Sequence, residues 1–303
     1  MELRWIASSS ASCLHVAGAL VRRQSVAEPA LAEALAEPVK ILETALAEHG
    51  LSAGRLWPHL MPLAAVIENN RELAAVALTK AFGQKRSAPA AEGLARAIAS
   101  LEAAFTRAKP DAIDELELRS GPLIEQWEAR GPGLLAALGR LTQNELLVER
   151  ADVVLVHPVR GGAGSAHLAY NVACIEAVLV NPAADLPEVV RLGWLLAQLN
   201  LDLPLLQGDL SREDVARLGA LALAPAALAA GQEVELTTAS AAQLARALTT
   251  WHADKGGNDS AGSAGRNAAQ LAEVVWTWWE TYNERHPAWP TALAALSQML
   301  SAG

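Results

Sequence analysis

Phenylalanine and tyrosine are almost missing from this chain of 303 residues, with two of each. A core of that size must then be filled by leucine, alanine and the nine tryptophans, since one large aromatic can bury about 150–250 Å². Cysteine is equally scarce. Cys13 and Cys174 stand alone and far apart, which excludes a disulfide framework and fits a reduced cytoplasm. No C-x-x-C occurs, and His15, His49, His59, His157, His167, His252 and His286 include no i, i+4 pair. The ligand spacing of a zinc helix is therefore lacking, and neither a metal nor another cofactor is expected.

Positive charge is also short. The formal net charge is −9 and the densest basic cluster is Arg22-Arg23, whereas a nucleic-acid backbone demands clustered cations, so nucleic acid is excluded as a partner. No unbroken apolar run reaches the roughly 20 residues of a membrane span, so no membrane association is expected. The segment Trp5 to Val21 has the outline of a signal sequence behind Arg4. Glu2, His15 and Arg22-Arg23 break that pattern, and a first helix is expected there instead.

What is present is apolar: hydrophobic residues make up 52% and charged residues 19%, enough for a buried core and too apolar for disorder. Richness in alanine and leucine favours close-packed helices and suggests a bacterial, GC-rich origin. The length predicts two domains. The first, 1–143, reads as helical. Helices are expected at about Pro38 to Glu48, up to Phe82-Gly83, and along Leu94, Ile98, Leu101 and Phe105 until Lys109-Pro110. Asp111 opens another helical stretch, and Pro122 and Gly131-Pro132-Gly133 divide it into separate pieces.

From about Glu149 the character changes. Val153 to Val156 and Val172 to Val180 are β-branched runs, joined by the glycine-rich stretch Arg160 to Ser165, and Glu233 to Thr237 reads as a third strand. The second domain, 144–303, is thus expected to be α+β, a small and mainly antiparallel sheet covered by helices, in a protein that is mainly α. Asp185-Leu-Pro-Glu188 is written like a capping box, and the helix it opens, 186–199, is apolar nearly all round, which places it at the centre of its domain. Gly256 to Gly265 reads as a loop.

The candidate sites are few. The glycine-rich stretch follows a strand but lacks the Lys-Ser/Thr of a P-loop and the third glycine of a dinucleotide fingerprint. Gly162-Ala-Gly-Ser165-Ala has the wrong spacing for a nucleophile elbow. His157 and His167 flank the stretch and could converge with Glu176. Arg191, in the apolar helix, could pair with Glu176, or with Glu188 one turn back. Convergence of His157, His167, Glu176 and Arg191 in one cleft would mark an enzyme. In Trp276-Thr-Trp278-Trp279, helical geometry puts Trp278 inward with Leu271, Val275 and Tyr282, Trp279 on the border, and Trp276 about 140° from Leu271, where it could contact a protein partner or a second copy of the chain.

The order of elements here resembles the centre of zincin-type metallopeptidases: strand, glycine-rich turn, a strand ending at Val180-Asn181-Pro182, then the helix Leu186 to Leu199. In that family the helix carries H-E-x-x-H. The corresponding stretch in this chain is Arg191-Leu-Gly-Trp-Leu195, which has neither histidine nor the glutamate, so the resemblance implies a metal-free relic of the fold. The leading functional expectation is a non-catalytic cytoplasmic interaction or scaffolding protein; the alternative is a hydrolase-like enzyme or a degenerate zincin-like homologue.

Overall fold

A computed structural model describes residues 1–251 and 267–301; the stretch Gly256 to Gly265 and His252 lie outside them. In chain order the elements are β1 (Glu2–Ala7), α1 (Ser9–Val21), α2 (Pro29–Ala47), α3 (Ala53–Leu63), α4 (Asn70–Phe82), the short α5 (Gln84–Ser87), α6 (Ala91–Ala108) and α7 (Ala112–Leu141). Then come β2 (Arg150–Val156), β3 (Gly164–His167), β4 (Val172–Glu176), α8 (Glu188–Ala197), the short α9 (Pro204–Gln207), α10 (Arg212–Glu233), α11 (Ala241–Thr250), α12 (Ala268–Arg285) and α13 (Trp289–Ser301). The protein is mainly helical with one small sheet, an α+β layout.

The sheet corrects several sequence expectations. Its order is β1-β2-β4-β3. Glu2–Ala7 form β1, so the expected first helix begins only at Ser9, and β1 pairs in parallel with β2 from Glu2↔Arg150 to Ala7↔Leu155. β2 also runs parallel to β4, and only β3 pairs antiparallel, with β4. The sheet is therefore mainly parallel. The two β-branched runs do not form a hairpin with each other, because β3 crosses to the far side of β4 before the chain turns back. The second run stops as a strand at Glu176, and Glu233 to Thr237 is not a strand, since α10 runs to Glu233 and Glu235 turns left-handed at φ 60°.

Both faces of the sheet are covered, as parallel strands require. Val154, Val156, Val172 and Cys174 point into one core with residues of α1–α4 and α6. Val153, Leu155, Ala173 and Ile175 point into the other with α7, α8 and α10–α13. The alternation along each strand serves both layers at once.

Pro122 and Pro132 do not divide α7, which is continuous over both. Leu116, Ser120, Leu123, Trp127, Gly131, Leu134 and Leu138 form one buried helical stripe across them. Both prolines lie on the exposed side, where water can take up the carbonyls they leave unpaired, and tertiary packing outweighs the helix-breaking preference. α10 is long and apolar enough to cross a membrane by composition, with 72% of its most apolar window buried inside the molecule.

Every residue of α8 is buried, so the helix expected at the centre is there. Trp194 stacks on Trp251 at 5.2 Å and donates its indole N–H to the Ala220 carbonyl at 2.8 Å. Gly193 lets Leu134 of α7 approach so closely that a Cβ would lie 2.6 Å from it. The expected capping box does not form. The N-cap residue is Pro187, the Glu188 N–H is capped by the Asn181 side chain at 3.1 Å, and Asp185 pairs with Arg246.

Candidate functional site

Polar groups collect at the carboxyl ends of the parallel strands, where open α/β sheets place their ligands. Of the buried polar and charged residues, Ser8 and Ser12 follow β1, His157 follows β2, Glu176 ends β4, and Glu188 and Arg191 lie in α8. β1 leads into α1 on one face of the sheet and β4 leads into α8 on the other, so the chain parts here to cover both faces.

Glu176 sits at the centre. Its Oε2 accepts the N–H groups of Gly162 at 2.8 Å and Ala163 at 3.1 Å, and its Oε1 accepts the Arg160 N–H at 3.0 Å. His15 of α1 places Nε2 2.8 Å from the same Oε1. Gly161 and Gly162, with φ of 75° and 134°, give the loop the left-handed turn that aims these donors inward. Burial alone would push the Glu176 carboxyl up; the His15 ring and the loop N–H groups outweigh it and hold the group far below the usual carboxylate range. The glycine-rich loop thus does cradle an anion, and that anion is the chain's own glutamate.

Arg191 is fully buried and pairs with the Glu188 carboxylate. Its Nη2 also donates to the Glu176 main-chain carbonyl at 3.3 Å. Nε and Nη1 find no acceptor among the described residues. Burial lowers its pKa to about 9, with the Glu176 carboxylate opposing that shift. His157 points elsewhere. Its ring lies against Phe105 and holds Nε2 2.7 Å from Glu28, which also pairs with Lys109 at 2.9 Å. The four residues singled out from the sequence therefore do not share one cleft. Glu176 and Arg191 are neighbours, His157 is bound into the helical layer, and His167 belongs to a different group.

That second group lies on the face of β3 and β4 turned toward α1 and α3. On a strand, side chains two residues apart share a face, so Ser165 and His167 stand side by side, with Oγ 3.0 Å from Nε2. His167 Nδ1 lies 3.2 Å from the main-chain carbonyl of Pro58 in α3. A carbonyl can only accept, so Nδ1 carries the proton, Nε2 is left as the acceptor, and the Ser165 hydroxyl donates to it. Loss of water around the ring pushes the His167 pKa down to about 4; the Pro58 hydrogen bond opposes this, and His59 and His15 add to it. His167 is thus a neutral base near pH 7. Beside it, His59 Nδ1 and the Tyr170 hydroxyl are 2.8 Å apart.

β3 is the outer strand. Since the Glu176 N–H donates to Ala163, the ladder alternation turns the N–H groups of Gly164 and Ala166 away from β4, off the sheet edge. Ser165 is exposed and His167 half-buried. An accessible hydroxyl, a base in the receptive tautomer, a carbonyl fixing that tautomer and an outward N–H on the residue after the serine are the parts of a nucleophilic site. Ser165 fits no elbow motif; its readable signal is the Ser-x-His spacing on a strand. His15, Glu28, His59 and Tyr170 gave none, because their partners are remote in the chain.

Trp276 is half-buried against the second core, with its indole N–H on Glu280 at 2.9 Å, while Trp278 and Trp279 are buried. Among the described residues no group of three or more His, Cys, Asp or Glu side chains could hold a metal ion. No family model, no curated protein and no solved structure matches this chain.

Proposed function

We propose that this protein is a serine hydrolase acting on small esters, with Ser165 as nucleophile and His167 as general base. The observation that carries the reading is the Ser165 Oγ–His167 Nε2 contact at 3.0 Å with His167 Nδ1 held by the Pro58 carbonyl. In the first step Ser165 Oγ bonds to the ester carbonyl carbon and its proton passes to Nε2. The carbonyl oxygen becomes an oxyanion beside the Ala166 N–H. Its collapse breaks the ester bond, and the leaving alcohol takes the proton back from Nε2. Water, deprotonated by the same nitrogen, then adds to the acyl-serine carbonyl, and collapse releases the acid while Nε2 returns the proton to Ser165 Oγ. The Pro58 carbonyl plays the orienting part that a carboxylate plays in a Ser-His-Asp triad.

A neutral alkyl fluorophosphonate tests this directly. Ser165 Oγ should displace fluoride, and peptide mapping by mass should find the adduct on Ser165. Ser165→Ala should remove the adduct, and His167→Gln should slow it about 10²-fold or more. Absence of the adduct from folded protein, or labelling indifferent to His167→Gln, would refute the proposal. The expectation of a non-catalytic interaction protein would then stand in its place.

A further inference from the structure

We infer that the substrate taken at Ser165 carries a negative charge, received by Lys80 and Arg55 at the corner where α3 meets the end of α4. This rests on the hydrolase reading above and adds the substrate class.

The geometry runs outward from the Pro58 carbonyl that holds His167. His59 follows Pro58 directly, and Arg55 lies one turn back on the same helix, so Arg55 and His59 share a face. Arg55 is fixed in place, with Nη2 on the Ala81 carbonyl at 3.0 Å and the guanidinium 5.4 Å from the Phe82 ring centre. That bond to Ala81 brings the end of α4, and with it the neighbouring Lys80, to the same corner. Lys80 is exposed. Neither cation has a carboxylate within ion-pair distance among the described residues, whereas Arg4, Arg23, Lys109, Arg212 and Arg246 each pair with one.

Electrostatics at His59 agree. Burial lowers its pKa first, and Lys80 and then Arg55 lower it further. In a chain of net charge −9, two cations without acidic partners near His59, the residue after the Pro58 that holds His167, form a local positive field against the general one. Such a field draws anionic ligands and turns away cationic ones, and salt screens it. His59 is within electrostatic reach of both this corner and His167, and its Nδ1 lies 2.8 Å from the Tyr170 hydroxyl.

The test compares two fluorophosphonates of matched size, one neutral and one bearing a terminal carboxylate, by their rates of labelling Ser165. The carboxylate probe should react about five- to tenfold faster at low ionic strength, and the ratio should shrink toward one in about 0.5 M salt. Lys80→Glu, at an exposed position, should bring the ratio below one. Equal rates for both probes, or a ratio indifferent to salt and to Lys80→Glu, overturns the charge assignment while leaving Ser165 as the nucleophile. Failure of both probes to label Ser165 overturns it together with the hydrolase reading.

Discussion

Replacing Glu176 by alanine should release the glycine-rich loop from the sheet. The carboxylate accepts from Gly162, Ala163 and Arg160 and contacts His15. Gly162 and Ala163 are buried, so their N–H groups would lose their acceptor out of easy reach of water. Each such orphan costs about 1–3 kcal/mol, while the Arg160 N–H, nearer the surface, costs less. Water entering the space left by the side chain recovers part, which puts the loss at about 3–5 kcal/mol. Urea unfolding near pH 7 measures it, and amide hydrogen exchange should show the largest loss of protection at Gly162 and Ala163. The pH dependence has a definite sign. A carboxyl held below its ordinary pKa of about 4.3 contributes fully above that value and loses its contribution as pH falls through the folded-state pKa. The gap between the parent protein and Glu176→Ala should therefore be widest near neutrality and close in acid. A loss under about 1 kcal/mol, with exchange at the loop unchanged, would refute the view that this glutamate is what holds the loop.

Trp194→Ala should cost about 3–5 kcal/mol in the same assay, since the side chain is buried, stacked and bonded to Ala220; a loss below about 1 kcal/mol would place α8 at a surface. Labelling of Ser165 should be flat from pH 8 down to about 5 and fall roughly tenfold per unit below the His167 pKa of about 4, because the protonated ring cannot take the serine proton; a midpoint near pH 6.5 would point to a different base.

Elements carried by local pattern were legible in the sequence. The apolar circumference of α8 gave its burial, and the stripe of Leu94, Ile98, Leu101 and Phe105 gave α6. The parallel sheet was not legible. Nothing within residues 2–7 shows that their hydrogen-bond partners lie at 150–155, and Leu3-Arg-Trp-Ile running into a serine-rich helix reads as one continuous segment. Asp185-Leu-Pro-Glu188 had the letters of a capping box, yet Arg246 takes the Asp185 carboxylate and Arg191 that of Glu188. At the candidate site, the shared face of Ser165 and His167 could be read from spacing alone. The Pro58 carbonyl that fixes the tautomer could not, because a main-chain acceptor leaves no mark on residue identity.

The pairing of β1 with β2 also sets a timetable. At about 5–20 residues per second of synthesis, roughly seven to thirty seconds separate the emergence of Glu2 from that of its partner Arg150. In that interval α1–α4 and α6 can assemble on one another, but the strands that floor their core do not yet exist, and the apolar underside of the layer stays open. The nascent chain thus passes through a stage with an exposed apolar sheet-binding surface and one unpaired strand, the condition in which a holding chaperone or a neighbouring nascent copy finds its best target.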